Sequence, residues 1–300
     1  MPSPESLAVR ARLAQMKAAA RAGPSPSLAE QRRALEAMAA NLPLPADVRV
    51  TRTAVGGVPA EWVVAAAARP DRTFLYFHGG AYYMGSAASH RDLAARLSRA
   101  AGARVLLAEY RLAPEHRFPA AVHDAVAAYR GLLAQGTDPS RLLVGGDSAG
   151  GGLTVAMLVV LRDAGDPLPQ AAVLLSPWTD LACTGPSLKT RAAADPWLDP
   201  EGIRRAPALY LGATDPRHPL ASPLYADLRG LPPLLVHVGR DECLLDDSTR
   251  LAERARAAGV DVTLAVWDDM WHVFHSFAAE VPEARRAIEE IGAFAARMLP

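Results

Sequence analysis

The feature that most restricts this chain is a join: the apolar run Leu142-Leu143-Val144 passes through Gly145 into Gly146-Asp147-Ser148-Ala149-Gly150, and a helical pattern from Gly150 to Asp163 follows at once. Such a junction needs a buried strand, a tight turn of small residues and a helix folded straight back on the sheet. The same alternation runs along most of the chain. Strand patterns fall near Val48–Thr53, Trp62–Ala66, Thr73–Phe77, Val105–Tyr110, Leu142–Gly145, Ala172–Leu175, Leu234–Val238 and Thr263–Trp267. Helical patterns lie near Arg91–Ala101, Val122–Gln135, Gly150–Asp163, Ser248–Ala258 and Pro282–Met298. Strands that are continuous apolar runs, with helices between them, predict an α/β fold with a mostly parallel eight-stranded sheet covered on both faces, its first strands antiparallel.

Two regions depart from this rhythm. Residues 1–45 hold two Ala/Leu/Arg helical stretches, Ser6–Arg21 and Ser27–Ala40, separated by the breakers Gly23-Pro24-Ser25-Pro26. They read as an N-terminal helical cap segment ahead of one α/β domain over 46–300. Within that domain, from about 179 to 231, seven prolines between Pro186 and Pro223 punctuate short helical pieces, and no strand pattern appears. The interspersed Trp197, Tyr210 and Tyr225 favour an ordered cap insertion over a disordered linker.

Composition excludes several classes. Three hundred residues, half of them hydrophobic, rule out disorder, collagen and coiled coil. The 32 basic and 32 acidic side chains cancel, so no global field attracts nucleic acid or an anionic membrane. Two cysteines, Cys183 and Cys243, make neither a disulfide framework nor a zinc pair and point to a reducing compartment. The first thirty residues lack a signal-peptide core, and the longest apolar stretch, Leu153–Leu161, is about half a membrane span. The expectation is a cytoplasmic protein.

The chemistry starts at Ser148. A G-x-S-x-G turn between strand and helix is a nucleophile elbow: it lifts the serine Oγ above the sheet at the N-terminus of the following helix. A phosphate loop is the alternative, but the P-loop lysine and the G-x-G-x-x-G spacing are both missing. Serine is a weak nucleophile at neutral pH, so the elbow calls for an acid and then a histidine base further along the chain. His272 follows the last strand pattern, with His275 as its only rival. The acid comes from Asp241, Glu242, Asp246 and Asp247, just after the strand Leu234–Val238. Asp246 and Asp247 suit the first turn of the next helix, leaving Asp241 and Glu242 open. An oxyanion hole needs backbone N–H groups, and the strand Phe74–Phe77 runs into His78-Gly79-Gly80-Ala81 about seventy residues before the elbow.

These residues resemble the hormone-sensitive-lipase-like family of α/β-hydrolases, the family IV microbial esterases. Tyr110-Arg111-Leu112-Ala113-Pro114-Glu115-His116, Phe118-Pro119-Ala120-Ala121, Gly146–Gly151, Ser176-Pro177-Trp178 and Ala221-Ser222-Pro223-Leu224 all resemble its signatures. The resemblance runs from about residue 45 to the C-terminus. It implies an α/β-hydrolase fold with Ser148 as nucleophile, His272 as base and the amides of Gly79, Gly80 and Ala149 as the oxyanion hole. The family's Asp-Pro-Leu-x-Asp motif aligns with Glu242-Cys243-Leu244-Leu245-Asp246, which makes Glu242 the acid and places the chain nearest a branch with glutamate there. Two departures stand out: Ala81 replaces a third glycine, and Glu replaces Asp.

The resulting expectation is a serine carboxylesterase acting on short- to medium-chain esters through an acyl-enzyme, with no metal or cofactor. Tyr82, Tyr83, Met84, Trp178 and Trp197 are candidate pocket walls. A lactone or an amide would need the same three groups. A non-catalytic receptor, like the plant gibberellin receptors that resemble the family without the histidine, fits less well because His272 is present. The partner is a small-molecule ester rather than nucleic acid or membrane, and the resemblance implies a homodimer through the last sheet strand, Thr263–Trp267.

Overall fold

The computed structural model describes residues 1–24, 26–40 and 44–300; Ser25 of the breaker run lies outside them. Eight strands form one sheet in the order β1-β2-β4-β3-β5-β6-β7-β8. They are β1 (Val48–Val55), β2 (Val58–Ala65), β3 (Arg69–Phe77), β4 (Ala103–Ala108), β5 (Leu142–Asp147), β6 (Ala171–Leu175), β7 (Leu234–Gly239) and β8 (Val262–Trp267). Pairings of β2 with β1 and β4 are antiparallel, and every other pairing is parallel. Side chains alternate between the faces with period two. On β3, Leu75 and Phe77 enter one core with α4 (Ala120–Ala134), α5 (Ala149–Ala164) and α8 (Leu245–Ala257), while Phe74 and Tyr76 enter the other with α3 (Ala87–Ala101) and α9 (Pro282–Met298). Burial on both faces explains why these strands read as unbroken apolar runs.

The N-terminal helices are docked onto this body. Helix α1 (Pro4–Ala22) buries Val9 and Leu13 in the α3/α9 core, and its N-cap Ser3 donates to Glu283 of α9. Arg10 binds Asp241 at 2.7 Å, and Lys17 donates to the carbonyl of Asp195 at 2.7 Å. From α2 (Leu28–Ala40), Arg32 donates to the carbonyls of Tyr83 and Ala113 and pairs with Glu115. Between β6 and β7 the chain is a proline-broken run holding α6 (Ser187–Thr190) and α7 (Pro200–Leu211), with no strand. No helix among the described residues is long and apolar enough to cross a membrane.

Candidate active site

Strand order assembles the site. Parallel strands bring their carboxyl ends to one edge, and the register sets which loops meet there. Phe77 pairs with Gly146, Asp147 with Leu175, Leu175 with His237 and Gly239 with Trp267. The segments that follow therefore stand side by side: His78-Gly79-Gly80, then Ser148, then Ser176, then Glu242, then His272.

Ser148 occupies a turn with φ 52° and ψ −120°, a conformation costly for a side-chain-bearing residue, which the surroundings must enforce. Its N–H donates to Leu175 O at 2.9 Å, and its carbonyl accepts from Trp178 N at 2.8 Å. A Cβ on Gly150 would lie 2.0 Å from Phe77 O, so only glycine lets α5 start this close to β3. Ala149 is the first residue of α5, where amides have no partner within the helix and the dipole favours negative charge.

Of the four candidate carboxylates, Glu242 is the one that reaches His272. His272 Nδ1 faces Glu242 Oε1 at 3.2 Å, and Glu242 Oε2 accepts from Ser176 Oγ at 2.7 Å and from Gly239 N at 2.9 Å. Asp241 turns to Arg10, Asp246 accepts from Ser187 N, and Asp247 accepts from the amides of Thr179 and Asp180. His275 stacks against His237, its Nε2 3.2 Å from His237 Nδ1. Burial disfavours the imidazolium of His272, but the hydrogen bond and charge of Glu242 outweigh it and raise its pKa.

The glycine loop is fixed from behind. The His78 ring, held neutral with a pKa of about 3 chiefly by burial, donates from Nδ1 to Gly79 O at 2.8 Å. It stacks on Tyr110, whose hydroxyl donates to His78 O. Gly80 has φ 117°, and a Cβ there would lie 2.2 Å from Met84 O.

Ser148, His272, Gly79 and Gly80 line a single cavity of about 540 Å³. Of the candidate pocket residues, Met84 and Trp197 are on its wall. Tyr82, Tyr83 and Trp178 are not: Tyr82 is buried and stacked on Tyr210, Trp178 is buried in the core, and half-buried Tyr83 packs against that core. These three rings bury their apolar area in the core cluster instead. Their places are taken by Met16 of α1, Leu35 and Met38 of α2, and Leu198 and Phe277, with the Arg12–Glu280 ion pair at 2.7 Å also on the wall. Sequence patterning missed Asp195, a buried carboxylate that accepts from the amides of Trp197 and Leu198 and, through its other oxygen, from Cys243 N. It thereby ties the cavity wall to the acid loop, and only three-dimensional proximity reveals the link.

An eight-stranded, mostly parallel sheet with an elbow serine, an acid-bound histidine and a glycine loop at its carboxyl edge defines an α/β-hydrolase, and residues 74–276 match a family model described as alpha/beta hydrolase fold. The chain is 56% identical over 240 residues to an acetyl-hydrolase of Streptomyces hygroscopicus, covering 80% of each, and 38% identical over 251 residues to an esterase of Acinetobacter venetianus, covering 83% of this chain and 82% of that one. Among solved structures, an esterase from the bacterial hormone-sensitive lipase family superposes with a TM-score of 0.96 at 52% identity over the full length of both chains. The esterase EstE5, in a crystal soaked with p-nitrophenyl butyrate, superposes at 0.93 and 47% identity over 99% of each. The chain belongs to the hormone-sensitive lipase family and is a carboxylic ester hydrolase.

Proposed function

We propose that the protein hydrolyses short- to medium-chain carboxylic esters through an acyl-enzyme on Ser148. The observation that carries this is the contact of His272 Nδ1 with Glu242, which holds the ring so that its other nitrogen is left for the serine on the same cavity wall. Ser148 Oγ attacks the ester carbonyl carbon as its proton passes to His272 Nε2. The amides of Gly80 and Ala149, joined by that of Gly79 once His90 Nε2 no longer accepts from it, receive the charge on the carbonyl oxygen. Collapse expels the alcohol, which takes the proton from His272; water then repeats the sequence on the acyl-serine and releases the acid.

The mostly apolar cavity of about 540 Å³ has room for short to medium acyl chains, the range that includes the butyrate ester soaked into EstE5. Helices α1 and α2 serve as part of the cap, since they contribute Met16, Leu35 and Met38 to the wall. Edge strand β8 is the surface through which two copies associate, and sedimentation as a monomer would refute that assignment.

The test is turnover of p-nitrophenyl esters from acetate to palmitate, with wild type beside Ser148→Ala. Turnover should peak at short chains and fall by about four or more orders of magnitude in the variant. Equal turnover by the two overturns the assignment, and a preference for palmitate overturns the chain-length class.

A further inference from the structure

Beside the glycine loop, on the wall of the same cavity, one ring nitrogen faces a donor and an acceptor at once. His90, buried on α3, places Nε2 3.3 Å from the amide nitrogen of Gly79 and 3.4 Å from both carboxylate oxygens of Asp147, the residue before the nucleophile. The other nitrogen is already committed. Nδ1 lies 2.9 Å from Ser89 Oγ and 3.2 Å from Ser86 O. The Ser89 hydroxyl donates its own proton to Ser86 O at 2.9 Å, so Nδ1 meets lone pairs on both sides and carries the hydrogen. Nε2 alone is left to vary.

A bare Nε2 accepts the Gly79 N–H but turns its lone pair on a carboxylate. A protonated Nε2 donates to Asp147, a charge-assisted bond, and repels the Gly79 N–H. The carboxylate has little freedom to adjust, because Tyr76 donates to it at 3.0 Å and the Gly79 backbone presses on it so closely that a Cβ there would lie 2.1 Å from Oδ2. We infer that His90 is a positioning residue whose protonation decides whether the Gly79 amide is held by the His90 ring or released to the substrate oxyanion. The inference rests on the esterase reading for its catalytic consequence, though not for the switch itself.

The groups around the ring favour the cation. Asp147 faces it from β5, Glu36 from α2 and Glu109 from the end of β4, while the neutral His78 ring lies at 5.5 Å between centroids and Tyr76 stands behind Asp147. Burial opposes the charge, and the carboxylates outweigh it, so the His90 pKa is raised above its ordinary value. Below that pKa the Gly79 amide is free; above it the amide is captured. kcat/KM should therefore fall on the alkaline side by on the order of tenfold, one net hydrogen bond's worth, apart from the acid limb that belongs to His272.

The experiment follows the Gly79 amide and the His90 ring nitrogens by NMR in the 15N-labelled full chain from pH 5 to 10, beside kcat/KM for p-nitrophenyl acetate. The expected result is one shared midpoint for the His90 ring, the Gly79 amide shift and the alkaline limb. In His90→Gln both the amide titration and the limb should disappear, and in Glu36→Gln, which removes a nearby negative charge, both should move to lower pH. A Gly79 amide that does not move as His90 titrates, or a limb that stays in place in Glu36→Gln, overturns the inference. Because the NMR titration needs no turnover, loss of Ser148-dependent hydrolysis would refute the esterase reading alone.

Discussion

His272 and Glu242 meet at 3.2 Å inside the protein, while Asp241, one residue earlier, points outward to Arg10 of α1 at 2.7 Å. Adjacent carboxylates at the end of one strand thus face opposite ways, one to His272 and the other to the N-terminal helix α1. Glu242 can do the first because Ser176 Oγ and Gly239 N fix its second oxygen, and Ser176 Oγ in turn accepts from Val273 N, next to the base. Glutamate's extra methylene relative to aspartate is absorbed within this bonded loop.

Substitution should separate the two. Glu242→Gln removes the charge that stabilises the imidazolium and offers an amide that cannot fix the ring tautomer, so kcat should fall by roughly three to four orders of magnitude. Asp241→Asn should leave kcat within a few-fold and weaken only the docking of α1, where the Arg10–Asp241 pair is mostly buried, its side chains 25% and 20% exposed. Steady-state kinetics and a thermal melt on both variants check this; equal losses in kcat would sink the division of roles.

The pH profile carries the same contact. The base must be neutral to accept the serine proton, so activity rises as pH rises through the His272 pKa, which Glu242 holds above the ordinary value near 6.5. In Glu242→Gln the raising influence is gone while burial remains, and the acid limb should move to lower pH even as the rate drops. A limb that stays put would mean that another group governs it.

Much of this arrangement is visible in the residues themselves, for physical reasons. Strands buried on both faces leave unbroken apolar runs, and the elbow leaves a run of small residues because Gly150 sits where a Cβ would strike Phe77 O. Ser148 and His272 are legible because their chemistry fixes both residue type and order. The cavity wall is legible only in part, through Met84 and Trp197. Tyr82 and Trp178 look like pocket aromatics, yet they fill core, while the wall comes from Met16, Leu35 and Met38 in helices whose sequence shows only helical periodicity. Asp195 and His90 are likewise silent: each acts by bridging segments far apart in the chain, which no local pattern records.

The N-terminal helices should therefore tune chain length. Met38→Trp adds volume on the wall of the cavity that Ser148 also lines, and relative kcat/KM for octanoate over acetate should drop roughly tenfold. Initial rates at low concentration of each p-nitrophenyl ester, measured separately, give the ratio. An unchanged ratio would show that acyl chains run elsewhere.

Stability should also depend on a carboxyl outside the catalytic set. Asp247 is buried at the start of α8, and burial, with the charge of Asp180 nearby, pushes its pKa up to about 8, although the amides of Thr179 and Asp180 donate to it. An unfolded aspartate titrates near 3.9. Between those values the folded chain holds a proton that the unfolded chain has lost, so this group's contribution to stability is complete at low pH and declines as pH rises toward about 8. Asp247→Asn keeps an oxygen for the two amides and removes the ionisation. The melting temperature of the wild type should therefore fall relative to the variant as pH is raised from 5 to 9. Parallel curves for the two proteins across that range would show that the two amide bonds hold Asp247 ionised throughout.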